Sequence, residues 1–322
     1  MNAILAGLGL GAALSASALA TWAQADDTPP AWAYAVNPPD FKARPDDGTP
    51  RHVPDSTAAF TLSQARDLFS ALDWHPADHP PLPDIVAHGR KPDVMACGVC
   101  HRADGPGGPE NVGIAGLPAQ YIVQQMADFK SGARTTSVPQ RIPPQLMIKT
   151  AKGINDTEIE QAATYFSGLK PRGVIKVVEV AEAPKTRVAG WFLAALRDGE
   201  TEPTAGRIIE VPEDLERFEM RDTRSQFIAY VPPGSIERGR QLATTGNGKS
   251  APCTVCHGPE LNGVGPIPGI AGRSPSYLVR QLYDFQHGAR AGPWSPLMAP
   301  NVSSLTLGDM VAVAAYAASL PP

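Results

Sequence analysis

Two stretches of the chain share a helical pattern of apolar and polar positions. In QYIVQQMADFKSG (120–132) apolar side chains recur every three or four residues before a glycine, and SYLVRQLYDFQHG (276–288) repeats this pattern. The spacing predicts an amphipathic helix in each stretch, ending near the glycine. Two further helices are predicted to start at Asn155 and Thr306, because an acidic side chain stands three residues after each, as in a capping box.

The chain between these helical stretches has a different pattern. VIKVVEVAEA, RIIEVP and SQFIAYVP, all within 171–234, are rich in β-branched residues and are separated by turn residues. They predict a small strand module. The Pro-rich stretch 26–83 contains one predicted helix at 61–72, and short helices are predicted at 84–90 and 235–243. The expected fold class is therefore mainly α with a small β-rich insert.

An internal repeat explains why the helical pattern occurs twice. GIAGLPAQYIVQQMADFKSGAR (113–134) matches GIAGRSPSYLVRQLYDFQHGAR (269–290) without a gap, with more than half of the positions identical. A second match joins 146–169 to 297–320. A unit has been duplicated, so two like domains are expected. The predicted division is a signal peptide (1–25), an N-terminal extension (26–83), a first unit (84–170), an insert (171–234) and a second unit (235–322).

Charge and the N-terminal sequence restrict the function and the location. The 322-residue chain has a formal net charge of −4, which argues against a nucleic-acid partner. Residues 4–20 are apolar or small, and Ala23 and Ala25 form an A-x-A pattern, as in a cleaved secretory signal peptide. An uncleaved membrane anchor is the alternative. No later apolar run is long enough to cross a bilayer, so a soluble, exported mature protein without a transmembrane segment is expected.

All four cysteines fall in two Cys-x-x-Cys-His motifs, ACGVCH (96–101) and PCTVCH (252–257). Such a pair of thiols can form a redox disulfide, supply half of a zinc site, or attach a haem. The adjacent His favours haem, since the thiols can bond to its two vinyl groups while the imidazole ligates the iron. A zinc site would have to join the two separate copies of the motif. A disulfide between cysteines only three positions apart is normally a reactive one. The predicted residues for two covalent haem c groups are Cys97, Cys100 and His101, and Cys253, Cys256 and His257.

The repeat also suggests a second protein ligand for each iron. Met147 and Met298 are the methionines that match in the two copies, in RIPPQLM and GPWSPLM, which are predicted to be loops. A thioether favours reduced iron and raises its potential, so both are predicted as metal ligands. The alternative is that they fill core space. His75 and His79 have no counterpart in the repeat and are only outside candidates.

With these residues placed, the chain resembles the dihaem class I cytochromes c of the cytochrome c4 group. The resemblance covers about 84–170 and 235–322 and rests on CGVCH and CTVCH, the shared GIAG…DF…GAR stretch and the two Leu-Met pairs. It implies two tandem helical haem domains, His/Met ligation and periplasmic electron transfer. In such domains a Pro carbonyl commonly accepts a hydrogen bond from the ligating His. Pro266 matches this position, whereas Pro109 is one position out of register.

We therefore expect a periplasmic electron carrier rather than an enzyme. It would move single electrons from a dehydrogenase or a membrane respiratory complex to a terminal oxidase or reductase. One alternative is a dihaem enzyme, either a peroxidase or a sulfur-compound dehydrogenase, which needs an open or exchangeable ligand position. Another is a cytochrome subunit of a dehydrogenase complex. The mixed charge run PEDLERFEMRD (212–222) is either a solvated face or a docking surface.

Overall fold

The computed structural model describes residues 28–322, so the predicted signal peptide lies outside the described residues. The extension and the first unit contain helices α1 (Leu62–Ala65), α2 (Asp84–Ala87), α3 (Cys97–His101), α4 (Ala119–Ser131), α5 (Ile142–Gly153) and α6 (Asp156–Gly168). The insert contains β1 (Ile175–Glu179), β2 (Glu182–Pro184), β3 (Thr186–Val188), β4 (Leu193–Ala195), β5 (Thr201–Pro203), β6 (Ile209–Pro212), α7 (Leu215–Glu219) and β7 (Phe227–Val231). The second unit contains α8 (Ser235–Thr245), α9 (Cys253–His257), α10 (Pro275–Gln286), α11 (Ser295–Val302) and α12 (Leu307–Ser319).

The predicted fold class is confirmed, with helices in both units and strands in the insert. The last helix of each unit begins at its predicted capping box. The Asn155 side chain accepts from the Glu158 backbone N–H, and the Glu158 carboxylate accepts from the Asn155 N–H, both at 2.9 Å. Thr306 and Asp309 make the same reciprocal pair in the second unit. These bonds satisfy N–H groups that the first turn of a helix leaves without intrahelical partners.

The insert contains two antiparallel strand pairs, β2 with β5 and β3 with β4, and a three-stranded mixed sheet that packs on the second unit. Strand β7 lies between β1, which is parallel to it, and β6, which is antiparallel. Ala229 and Val231 on β7 belong to the same buried apolar cluster as residues of α12. Glu210 on β6 is buried and accepts hydrogen bonds from Ser274 and Ser276 at the start of α10. The strand module predicted from sequence therefore forms part of the core around the second unit.

Part of the mixed charge run pairs with neighbouring segments, whereas Glu213, Asp214 and Glu216 are exposed to solvent. Glu216 bonds to Arg51 of the extension at 2.6 Å. Arg221 reaches Glu110 of the first unit at 3.3 Å. Its charges thus link the insert to the two segments before it.

The helix predicted over 61–72 is wrong beyond its first turn, because α1 ends at Ala65. The following backbone pairs instead with the first unit. Ala71 N–H donates to Ala87 O at 2.8 Å, and Ala96 N–H donates to Leu68 O at 3.0 Å. The helix predicted over 84–90 is shortened for a similar reason, since α2 ends at Ala87 and an isolated bridge pairs His88 with Ser70.

The start of the extension reaches across to the second unit. Tyr34 Oη donates to Asp284 Oδ1 at 2.8 Å and to Arg280 O at 3.1 Å. The Arg280 guanidinium donates to Ala33 O at 2.7 Å. The extension therefore contacts both units.

In the described residues, no single helix is long and apolar enough to span a membrane. Helices α11 and α12 together have the length and apolar composition of a membrane span, but the chain bends by 119° between them. Most of α12 is buried in the core.

Helices α8 and α12 cross at a close approach that requires glycine. A Cβ on Gly239 would lie 2.7 Å from the Cβ of Tyr316 and closer still to the carbonyl oxygen of Ala312. We expect Gly239→Ala to lower the free energy of unfolding of the haem-loaded protein by about 1–3 kcal/mol, because the helices must move apart. Chemical denaturation measures this change.

Gly168→Ala in α6 is the matched control, since a Cβ there meets open space. It should leave stability unchanged or raise it by up to about 1 kcal/mol. Equal stability of the Gly239→Ala variant and the natural protein would contradict the close approach.

Candidate functional site

Each Cys-x-x-Cys-His motif forms a single short helix, α3 in the first unit and α9 in the second. The spacing places the first Cys and the His, four residues apart, on one helical face. Both helices end at a residue with positive φ, Arg102 at 70° and Gly258 at 83°. All four thiols are free, and no disulfide forms within residues 28–322. The thiols thus remain available for a covalent bond to another group.

Burial and local chemistry do not support the zinc and disulfide hypotheses. Burial raises the pKa of Cys97 to about 12 and raises the pKa of Cys253, whereas a reactive redox cysteine has a lowered pKa. In the part of the chain that the structure describes, no three His, Cys, Asp or Glu side chains converge as ligands of a metal ion would. A zinc site has no ligand set here.

The two signature histidines are held by the same contact. His101 Nδ1 lies 2.8 Å from Val112 O, and His257 Nδ1 lies 2.8 Å from Pro268 O. A carbonyl can only accept, so Nδ1 carries the proton and Nε2 keeps its lone pair. Burial lowers the pKa of both rings, which favours the neutral form that ligates metals. Each ring is therefore fixed with a metal-binding nitrogen available.

The prediction that Pro266 accepts this hydrogen bond is wrong. The acceptor is Pro268, and Val112 occupies the same repeat position in the first unit. A valine serves as well as a proline because the accepting atom is the backbone oxygen. The carbonyl of Pro109 instead accepts from Arg280 at 2.7 Å.

Met147 and Met298 lie in helices α5 and α11, not in the predicted loops. Pro143 and Pro144 suggested a loop, but proline is tolerated in the first turn of a helix, where its missing N–H has no partner to lose. Both methionines are partly buried and line the same cavity as the two signatures. The structure thus brings the eight predicted site residues to one cavity.

This cavity has a volume of about 510 Å³ and extends through both units. Its wall includes all four cysteines, both signature histidines and both methionines, and the remaining lining is mostly apolar. His75 and His79 are not in this wall. His75 bonds to Asp222 at 2.9 Å and His79 to Asp73 at 3.3 Å, so both have structural partners.

A symmetric polar network joins the two units beside the cavity. Arg134 donates to Gln125 at 2.7 Å and to Gln281 at 2.8 Å. Arg290 donates to the same two amide oxygens, at 2.8 Å for Gln125 and 3.1 Å for Gln281. Each guanidinium also bonds a tyrosine hydroxyl of the other unit. The network consists of three pairs that match in the repeat: Tyr121 and Tyr277, Gln125 and Gln281, and Arg134 and Arg290.

Two further buried arginines in the cavity wall fit an anionic ligand. Arg141 Nε and Arg273 Nε are buried without a hydrogen-bond partner among residues 28–322. Burial lowers the pKa of Arg141 to about 8 and that of Arg273 to about 10. A haem carries two propionate carboxylates, which would supply charge and acceptors to such donors. Apolar walls, paired thiols, fixed imidazoles and the two buried Nε–H donors together suit the group predicted from the motifs.

The sequence identified the thiols and the imidazoles but missed the arginines of the network and of the cavity wall. For Arg134 and Arg290 the signal was the repeated Gly-Ala-Arg at the end of the matched segment. For Arg141 there was no signal, because its place in the cavity depends on bonds to Glu110 O and Trp191 O.

Thiols and imidazole on one short helix, beside a cavity with an apolar wall, define c-type haem proteins. No family model matches the chain. A cytochrome c-554(548) from Halomonas halodenitrificans is 35% identical over 78 residues, which is 24% of this chain and 94% of that protein. The chain belongs to the class I c-type cytochromes, and it is of the dihaem, cytochrome c4-like kind. Its cofactors are two covalently attached haem c groups.

Two longer relatives span both units. A thiosulfate dehydrogenase electron acceptor from Thiomonas intermedia is 28% identical over 71% of this chain and 81% of that protein. A cytochrome c4 from Azotobacter vinelandii is 24% identical over 69% of this chain and 83% of that protein. A solved thiosulfate dehydrogenase from Marichromatium purpuratum is 26% identical, with a TM-score of 0.46, and this chain spans 37% of its length.

Gln125 accepts from both arginines of the network. We expect Gln125→Leu to lower the free energy of unfolding by about 1–3 kcal/mol, because two buried guanidinium groups lose an acceptor. Chemical denaturation of the haem-loaded protein measures the loss. Gln161→Leu, at an exposed position of α6, should change stability by less than about 0.5 kcal/mol. Equal effects of the two substitutions would show that the shared acceptor contributes nothing.

Proposed function

We propose that each unit holds one haem through the residues that match in the repeat. The two thiols of each signature form the thioether bonds, and the following His supplies one iron ligand. The matched methionine supplies the other. For the first haem the residues are Cys97, Cys100, His101 and Met147, and for the second they are Cys253, Cys256, His257 and Met298.

The bound iron supplies one-electron oxidation and reduction, and the residues of the chain set its conditions. The carbonyls of Val112 and Pro268 hold the imidazole rings in one orientation. The thioethers favour the reduced state of the iron. The buried Nε atoms of Arg141 and Arg273 offer positive charge to the propionates. The apolar wall excludes water, which keeps the charge change in a medium of low dielectric constant.

The protein is a dihaem electron-transfer cytochrome, and we propose that it acts as a carrier without its own substrate chemistry. One observation supports this most directly: the wall of the shared cavity contains a matched His and Met from each unit. With both in place, neither iron keeps a position open for a substrate.

The proposed domains are the two units as delimited by the repeat, and the A-x-A pattern supports a cleaved signal peptide and a periplasmic location.

Carbon monoxide tests the methionine ligands. The reduced natural protein should not bind it, because both irons have two protein ligands. Met147→Ala and Met298→Ala should each let carbon monoxide bind about half of the haem, since each opens one iron. The absorption spectrum before and after the gas measures this.

Met126→Leu is the matched control. Met126 also lines the cavity but aligns with Leu282 in the other unit, so this variant should not bind carbon monoxide. The mass of the denatured chain should show two haems in every variant. Carbon monoxide binding by the natural protein would overturn the carrier proposal and favour a dihaem enzyme.

The names of the relatives suggest the class of electron donor. Two of them are named as electron acceptors of thiosulfate dehydrogenase. We propose that this chain also accepts electrons from a dehydrogenase that oxidises a sulfur compound, and passes them to a terminal oxidase or reductase. A membrane respiratory complex is the alternative donor.

Thiosulfate distinguishes the carrier from the dehydrogenase. The oxidised, haem-loaded protein should stay oxidised with thiosulfate alone. It should become reduced when a catalytic amount of a separate thiosulfate dehydrogenase is added, which the haem absorption bands report. Inactivated dehydrogenase is the control. Reduction by thiosulfate alone would indicate that the chain is itself the dehydrogenase, and no reduction in either case would exclude this donor.

A further inference from the structure

The two signature helices have very different surroundings. Val255, inside the second signature, is 72% exposed, whereas Val99 at the same repeat position is 3% exposed. The helices themselves have the same length and the same cysteine and histidine positions. The difference must therefore come from what packs against them.

The extension and the start of the first unit cover the first signature helix. Ala96 N–H donates to Leu68 O at 3.0 Å. A Cβ on Gly98 would lie 2.7 Å from Val86 O and 2.9 Å from the Cβ of Ala71. The helix is thus packed so closely against these segments that no side chain fits at Gly98.

The insert covers the loop that follows the first signature. Val264 in the second unit is 56% exposed, and its counterpart in the repeat is Gly108. A Cβ on Gly108 would lie 3.0 Å from the ring of Phe218, which is itself buried in the insert. An apolar side chain that faces solvent in one unit is therefore replaced by the insert's own aromatic ring in the other.

A third position shows the same asymmetry. Leu297, next to Met298, is 70% exposed, while its counterpart Leu146 is only partly exposed, and both leucines also line the cavity. The three exposed apolar side chains Val255, Val264 and Leu297 are here called the second-unit face. Within 250–268 and 293–308, the segments that carry it, Glu260 is the only Asp, Glu, Lys or Arg.

We propose that the second-unit face is the surface through which electrons enter and leave, and that the first haem exchanges electrons only through the second. The inference rests on the proposed carrier function. The occupant is a redox protein whose own cofactor is surrounded by an apolar, uncharged rim. Charged partners are disfavoured because this face offers no charge cluster for steering or pairing. Its apolar side chains instead gain from being removed from water.

The electron balance is simple. One electron leaves the reduced cofactor of the partner and one ferric iron becomes ferrous, without a bond or a proton changing place. The cavity shared by the two units provides the internal connection to the first haem. The first unit then stores one electron that outside proteins do not reach directly.

Voltammetry of the full haem-loaded protein on gold coated with a methyl-terminated alkanethiol tests this surface, since the coating stands in for an apolar, uncharged partner. Val264→Glu should lower the electron-transfer rate constant of both haems at least tenfold. This corresponds to a carboxylate that weakens the contact with the coating by about 1.4 kcal/mol. Leu297→Glu should act in the same direction. Val123→Glu, at a 39% exposed valine of α4 in the first unit, should leave the rate unchanged.

The outcomes separate the two proposals. An unchanged rate in Val264→Glu would overturn the second-unit face. Slowing of one haem alone would also overturn it, because the first haem would then exchange independently. A natural protein without any reversible haem signal would instead contradict the carrier function. The reduced absorption spectrum of each variant should match that of the natural protein, which excludes loss of haem or of its ligands as the cause.

Discussion

The structure depends on two arginines that share two amide oxygens. Arg134 and Arg290 come from different units, yet each donates to both Gln125 and Gln281. Buried guanidinium groups are costly unless their donors are satisfied, so this arrangement fixes one relative position of the units. Because that position sets the two signatures against a common cavity, the haem sites cannot be understood one unit at a time.

The sequence predicted the elements that local chemistry determines. The capping boxes at Asn155 and Thr306 and the signature motifs depend on residues within a few positions, and they appear where expected. It failed where tertiary partners compete with local propensity. Residues after Ala65 are not helical, because their backbone forms hydrogen bonds with the first unit. The prolines before Met147 start a helix instead of ending one.

The same limit applies to the site. Spacing within the repeat identified the thiols, the imidazoles and the methionines as one set, since duplication preserves such positions. The carbonyl that orients each ring could not be chosen by residue type, because every residue offers one. The repeat also could not predict that Phe218 packs against the loop after the first signature, because Phe218 lies in the insert, which has no counterpart in the repeat.

The contact of Tyr34 with Asp284 has a consequence for how the molecule is assembled. The two residues are 250 positions apart in the chain, and the hydroxyl bonds to Asp284 and to the Arg280 carbonyl, both in α10. The extension precedes α10 in the chain, so this contact can form only after almost the whole chain exists. A contact of such long sequence separation requires a long loop to close, which costs chain entropy before the contact gains anything. Tyr34 and Ala33 thus join the start of the extension to the second unit near the end of the chain.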